Sequence, residues 1–386
     1  MGQNESTDWK IPLYKIFTDD EDINLVTKII KRGSQWALGP EIDEFEKLIK
    51  EYVGVDYCLT FNSGTSALHA TLLAYGIKEH DEVIVPSFSF IATANSTLFV
   101  KAKPVFADIE DETLGLDPTR LTSKINSSTK AIIPMDYGGS SCKIHEIKKI
   151  AQDQGLILIE DAAESLGTET RNKKTGAVAD SSIFSFCGNK VLTTGEGGAA
   201  VTNSKEIYEK LKLIRSHGRI DNINYFENES DSEYRDVGYN WRMSSMTAAL
   251  GISQIKKIDK LIGMRQKNAK YISSRLSKHK GIIVPKSSDE STHIFQLYSI
   301  RLYDKSMRDA LHNFLTIKRI FSKIYFKPIH LMPHYTEKFK TSKGMLPVTE
   351  KVYDQILTLP MYPNMNDEEK EYLVDSIDEF FEKYQM

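Results

Sequence analysis

Short stretches of this chain place an amine, a carboxylate and an anion-cradling turn where they could do chemistry. Lys190 follows the β-prone run Ser182-Ile183-Phe184-Ser185-Phe186 by a few residues and precedes the glycine turn Thr193-Thr194-Gly195-Glu196-Gly197-Gly198. A primary amine held beside a buried strand can form an imine with a carbonyl compound and can move protons. The alternative is a solvated surface lysine, which is what most lysines are. Asp161 ends the run Leu156-Ile157-Leu158-Ile159-Glu160-Asp161, so its carboxylate is placed at the carboxyl end of a central strand, where open α/β sheets bind ligands. There it can cap a helix from Ala162 onward, or it can keep a cofactor nitrogen protonated. Asn62-Ser63-Gly64-Thr65-Ser66 lies between the run Cys58-Leu59-Thr60-Phe61 and a helical stretch. Gly64 lets the backbone come close to an anion, and the first-turn N–H groups, with the hydroxyls of Thr65 and Ser66, favour a phosphate. An ordinary Ser/Thr helix cap is the other reading.

Other patterns lead away from particular chemistries. Gly195-Glu196-Gly197-Gly198-Ala199-Ala200 formally satisfies a dinucleotide-binding fingerprint. That motif must open a helix, and here β-prone residues follow the glycines. No P-loop string is present. His330 and His334 stand four apart, but Pro333 between them works against a helical two-histidine ligand face, so no metal site is expected. Cys58, Cys142 and Cys187 are too few and too scattered for a disulfide framework, which points to a reducing compartment.

The elements that must position these residues can be read from the spacing of apolar side chains. Between Tyr57 and Thr202, β-rich runs alternate with helical stretches, the signature of βαβ units around a largely parallel sheet. A helix is predicted from near Ser63 and Thr65 to Gly76. From about Met243 a long helical pattern through Met246, Leu250, Ile252, Ile255, Ile258 and Leu261 reads as one connecting helix leaving the sheet. The remainder mixes strands such as Phe295-Gln296-Leu297-Tyr298-Ser299-Ile300-Arg301-Leu302 with helices. The division expected is a large α/β domain over 1–252 and a smaller α+β domain over 253–386.

The fifteen residues from Phe184 to Gly198, with the lysine in register, resemble the Schiff-base lysine segment of the DegT/DnrJ/EryC1/StrS family of pyridoxal-phosphate sugar aminotransferases. NSGTSALHA, VIVPSFSFIATAN, AKPVFADI, IEDAAESLG, RSHGR, GYNWRM, FKPIHLMPHY and LPMYP follow in the family's order and approximate spacing. The resemblance implies fold type I of the pyridoxal-phosphate-dependent transferases, the aspartate-aminotransferase-like α/β fold with a mostly parallel seven-stranded sheet. It implies that Lys190 forms the imine with pyridoxal phosphate, that Asp161 faces the pyridine nitrogen and that Phe90 stacks on the ring. Gly64, Thr65 and Ser185 would hold the phosphate, and Glu164 would approach the cofactor hydroxyl. Asn240 would reach the phosphate from a neighbouring subunit, making the active site that of a homodimer. Arg219 and His330 fall in segments that line the substrate cleft.

Family members that dehydrate sugars at C3 carry histidine where Lys190 stands, so the resemblance favours transfer of an amino group. L-glutamate is the usual donor, and pyridoxamine phosphate the form left after it. Gly188-Asn189 before the lysine is similar to enzymes that aminate C4 of nucleotide-linked 4-keto-6-deoxyhexoses, GDP-perosamine synthases among them. GDP, UDP and dTDP all stay open as the nucleotide, as do C3 and C4 as the site. The pathways implied make O-antigen or other surface polysaccharides, or antibiotic sugars.

Composition agrees with an enzyme of this kind and excludes little else. The 386 residues, 40% apolar and 27% charged, are enough for two domains at roughly 100 to 200 residues each. Fifty basic and 53 acidic residues nearly cancel, so net charge gives no reason to bind nucleic acid or an anionic membrane. MGQNESTDWK lacks the charged and then apolar run of a secretory signal, and no apolar stretch approaches a membrane span. A cytoplasmic protein is expected. Two other classes remain at this point: a non-enzymatic regulator built on the same fold, and a nicotinamide-dependent sugar dehydrogenase or epimerase.

Overall fold

A computed structural model describes residues 9–219, 233–288 and 290–383. Two helices, α1 (Asp20–Arg32) and α2 (Pro40–Val53), precede strand β1 (Tyr57–Phe61). Then come α3 (Gly64–Ala74), β2 (Glu82–Pro86), α4 (Ile91–Phe99), β3 (Lys103–Ala107) and β4 (Thr129–Ile132). The sheet is completed through α5 (Ile144–Asp153), β5 (Ile157–Asp161), β6 (Ser181–Ser185) and β7 (Gly198–Thr202).

The seven strands lie in the order β1-β7-β6-β5-β4-β2-β3. β7 pairs antiparallel with both β1 and β6, and the other neighbours are parallel. The parallel strands read as unbroken apolar runs because both faces are covered. Val83, Ile84, Val85, Ala131, Ile132, Leu158 and Ile159 are fully buried. α3 and α4 pack on one face with Leu68, Leu72 and Ala94, and α5 covers the other with Ile144, Ile147 and Ala151.

The helical pattern after Met243 is not one helix. It divides at Lys257 (φ −112°, ψ 7°) into α6 (Ser245–Lys256) and α7 (Ile258–Leu276). The Lys257 ammonium is drawn to the start of α1, 2.5 Å from Asp19 and 3.1 Å from Asp22. α6 lies against α1 and α2, whereas α7 runs into a separate apolar core with β9 and β10 of a three-stranded antiparallel sheet. That sheet is β8 (Ile282–Ile283), β9 (Tyr298–Leu302) and β10 (Ile356–Leu359), in the order β8-β9-β10.

The run predicted as a strand from Phe295 is therefore shorter. Phe295 has φ +52°, and Ile294 and Leu297 bond by their N–H groups to the carbonyls of Gly139 and Gly138. The side-chain amide of Gln296 donates to the Asn189 carbonyl at 2.8 Å, which ties the second sheet to the Lys190 loop.

Candidate active site

The carboxyl ends of the parallel strands open into a cleft of about 710 Å³, within the range of small-molecule sites. β1 delivers its chain to α3 at one wall. Ser63, in extended conformation, caps α3 by accepting the Ser66 N–H at 3.1 Å. The Ser66 hydroxyl turns back to Asn62 at 2.7 Å and is absent from the lining of the cleft, so it is part of the cap and not of the anion cradle. Gly64 and Thr65 do line the cleft, beside Ser185 at the end of β6. Ser63 both caps α3 and lines the cleft beside Gly64 and Thr65, while Ser66 belongs to the cap alone.

The close approach of β7 to α3 explains one glycine. A Cβ on Gly198 would stand 2.4 Å from the Gly64 nitrogen, nearer than atoms can come. On Gly64 itself a Cβ would meet that of Ser185 at 3.1 Å. Gly64 and Gly198 thus bring backbone close together at this corner, where the N-terminal turn of α3 leaves N–H groups without carbonyl partners within the helix. These features fit a doubly charged phosphate.

Opposite, Asp161 closes β5. It accepts the Thr93 hydroxyl on Oδ2 at 2.6 Å and the Ala163 N–H on Oδ1 at 3.2 Å. Residues 163–167 form turns and no helix follows, so the helix-cap alternative reduces to a single turn contact. Burial raises the Asp161 carboxyl above its usual range, and the Thr93 hydroxyl, the Ala163 N–H and the Lys190 charge act the other way.

The turn after Asp161 carries Glu164. One of its oxygens accepts the Gly138 N–H at 2.9 Å and the other lies 3.2 Å from Lys190 Nζ. Both side chains are largely buried. The Lys190 backbone N–H bonds to the Cys187 carbonyl at 2.9 Å, and Asn189 is held by Gln296 as described. Phe90, the N-cap of α4, lines the same cleft, is 57% exposed and lies 6.3 Å from the Phe326 ring.

The cleft gathers Gly64, Thr65, Phe90, Asp161, Glu164, Ser185 and Lys190. Three other residues singled out from the sequence lie elsewhere. Arg219 is buried with its guanidinium 3.5 Å from the Ser216 hydroxyl. Asn240 is exposed and pairs by its backbone with Ser216. His330 is fully buried between the Ser87 hydroxyl, 2.7 Å from Nδ1, and Glu350, 3.2 Å from Nε2. Among the described residues no group of three or more His, Cys, Asp or Glu is gathered as a metal site.

Further lining residues come from both ends of the chain: Tyr14, and Lys323, Tyr325 and Phe326. Phe326 heads the segment FKPIHLMPHY, the one sequence signal for that wall. Tyr14 carries no pattern that marks it. The Tyr325 carbonyl accepts the hydroxyl of Tyr137 at 2.9 Å, and the same hydroxyl lies 2.9 Å from that of Ser299 in β9.

The family model for the DegT/DnrJ/EryC1/StrS aminotransferases matches residues 17–378. The GDP-perosamine synthase of Escherichia coli O157:H7 is 33% identical, covering 96% of this chain and 98% of its own. The UDP-4-amino-4,6-dideoxy-N-acetyl-beta-L-altrosamine transaminase of Campylobacter jejuni is 34% identical, covering 95% and 96%. The structure of Helicobacter pylori PseC, an aminotransferase involved in the biosynthesis of pseudoaminic acid, superposes with a TM-score of 0.90 at 31% identity over 97% and 99% of the two chains. The mostly parallel seven-stranded sheet matches fold type I as expected, and with the family model spanning almost the whole sequence the chain belongs to the DegT/DnrJ/EryC1/StrS aminotransferase family, pyridoxal-phosphate enzymes that aminate sugars.

Proposed function

We propose that the chain transfers the amino group of L-glutamate to C4 of a nucleotide-linked 4-keto-6-deoxyhexose, with GDP-4-keto-6-deoxymannose as the acceptor and GDP-perosamine as the product. The observation that carries an amino-transfer reading is the placement of Lys190 and Asp161 in one cleft with the α3 N-terminus. The likeness to a GDP-perosamine synthase supports the choice of acceptor. A UDP-linked sugar is the second reading, supported by a UDP-sugar transaminase of nearly equal identity. dTDP-linked acceptors, and amination at C3, are outcomes the test below distinguishes.

Pyridoxal phosphate supplies, when bound, an electron sink for negative charge on a carbon beside nitrogen. In this reading Gly64, Thr65 and Ser185 hold its phosphate, Phe90 covers its ring and Glu164 borders its hydroxyl. Asp161 holds a proton on the ring nitrogen by setting a negative charge beside it. Lys190 anchors the cofactor and then, released as a free amine, moves the proton at the donor's α-carbon. Asn240 completes the phosphate site of a partner subunit in a homodimer, and the segments that carry Arg219 and His330 border the sugar side. The protein works in the cytoplasm, in surface-glycan synthesis.

The test is an absorption spectrum of the purified protein with pyridoxal phosphate, before and after excess L-glutamate, followed by GDP-, UDP- and dTDP-linked 4-keto and 3-keto sugars. A yellow band that glutamate bleaches and the GDP-linked 4-keto sugar restores is the expected result. No band overturns the role of Lys190. Restoration by another sugar alone overturns the acceptor.

A further inference from the structure

Beneath the turn that presents Asp161 and Glu164, the structure buries two carboxyl groups with no cation to neutralise them. Asp136 and Glu160 are both fully inaccessible to solvent, and among the described residues neither forms a salt bridge. Asp136 has a donor on each oxygen: the Cys142 N–H at 2.8 Å on Oδ1 and the Ser165 hydroxyl at 2.7 Å on Oδ2. Glu160 has both of its donors on Oε2, the Gly176 N–H at 2.7 Å and the Ser182 hydroxyl at 2.9 Å. Among the described residues its Oε1 has no donor, and the Asp136 carboxyl is the facing group whose charge and hydrogen bonding act on Glu160.

Two ionised carboxylates in contact in a dry interior repel strongly, and one proton between them removes the conflict. The unequal distribution of donors says where it sits. Asp136 is solvated as an anion is, by a donor on each oxygen. Glu160 leaves one oxygen for a hydroxyl, and a protonated carboxyl has one proton to donate. Burial raises both groups, and at Glu160 the facing Asp136 carboxylate adds to it, holding Glu160 well above its usual range. The other titratable groups nearby are Asp161, whose charge opposes ionisation of Asp136, and the buried Cys142 thiol.

We propose that Glu160, protonated and donating from Oε1 to Asp136, is a positioning residue that fixes the segment presenting Asp161 and Glu164 to the cofactor. The segment is pinned at both ends by this pair. Glu160 directly precedes Asp161, whose carbonyl accepts the Asp136 N–H at 3.1 Å. Ser165 directly follows Glu164 and gives its hydroxyl to Asp136, while its own carbonyl accepts the Thr175 hydroxyl at 2.6 Å. This inference rests on the reading of Asp161 and Glu164 as cofactor-facing acids.

Infrared difference spectroscopy on the wild-type protein tests the proton directly, with no variant needed. At pH 7 the carbonyl stretch of a protonated carboxylic acid is expected. It should shift when glutamate carboxyls are labelled with carbon-13 and stay in place when only aspartates are. The absence of such a band, or its shift on aspartate labelling alone, overturns the assignment. The positioning role is tested by Glu160→Gln, whose amide reproduces one donor toward Asp136 and one acceptor toward Gly176 and Ser182. It should lose the band yet keep pyridoxal phosphate affinity and the pH profile of turnover. Glu160→Ala should weaken cofactor binding about tenfold, the cost of leaving buried partners unpaired. Equal affinity in Glu160→Ala and wild type overturns the positioning role. A wild type that shows the acid band but forms no yellow band with pyridoxal phosphate refutes the cofactor reading and leaves the protonated pair standing.

Discussion

Lys190 Nζ lies 3.2 Å from Glu164 Oε1, and the other oxygen of Glu164 accepts the Gly138 N–H. The amine is therefore aimed by a carboxylate that is itself anchored to the backbone. It stands in the same cleft as the α3 N-terminus and Asp161. Lys190→Ala is expected to abolish turnover and the yellow band, because in this reading one amine both anchors the cofactor and carries the proton. Turnover within about tenfold of wild type in a stopped-flow assay would refute the assignment.

Asp161 is held by the Thr93 hydroxyl and the Ala163 N–H, so its direction is set before anything binds. Asp161→Asn keeps the size and can keep both contacts while removing the charge. The rate of the glutamate half-reaction should fall at least about a hundredfold, as when one preorganised electrostatic group is removed. An unchanged bleaching rate would deny Asp161 the role of holding the ring-nitrogen proton.

The seven strands of the main sheet were legible because each is an apolar run bounded by turn residues, and the flanking helices have clear ends. The break at Lys257 was not, since the apolar spacing continues across it and the cause lies in Asp19 and Asp22, far away in sequence. The site divides in the same way. Gly64, Thr65 and Asp161 stand at a helix start and a strand end, positions that periodicity locates, whereas Ser185 and the turn residue Lys190 are singled out by the family resemblance. Tyr14, Lys323 and Tyr325 reach the cleft only through tertiary packing, which leaves no local trace. The cap at Ser63 and Ser66 was readable as a motif, but the division of labour between cap and cradle depends on where each hydroxyl turns.

Gly198 meets the α3 N-terminus so closely that a methyl group has nowhere to go. Gly198→Ala should push β7 and α3 apart, costing about 1–3 kcal/mol of stability as overpacking does. Because the displaced backbone is that of Gly64, pyridoxal phosphate affinity should also fall by about tenfold or more. Thermal unfolding with and without cofactor, together with a spectroscopic titration, separates the two effects. A variant with wild-type affinity would show that the α3 N-terminus does not hold the phosphate.

His293 gives the protein a defined acid weakness. Its Nδ1 accepts the Phe295 N–H at 2.9 Å, its ring stacks on Phe295 at 4.2 Å, and burial pushes its pKa down to about 3. The folded protein holds this imidazole neutral, whereas the unfolded chain protonates it near pH 6.5. Below that pH the unfolded state binds the extra proton, so stability is complete above about pH 6.5 and is lost as pH falls toward 3. The slope is at most about 1.4 kcal/mol per pH unit for this one group. His293→Asn retains an acceptor for Phe295 and cannot be protonated there. Urea unfolding at pH 7 and pH 5 should show the variant less stable at pH 7, through lost packing, but with a smaller drop between the two. An equal drop in both proteins would place the acid sensitivity in other groups.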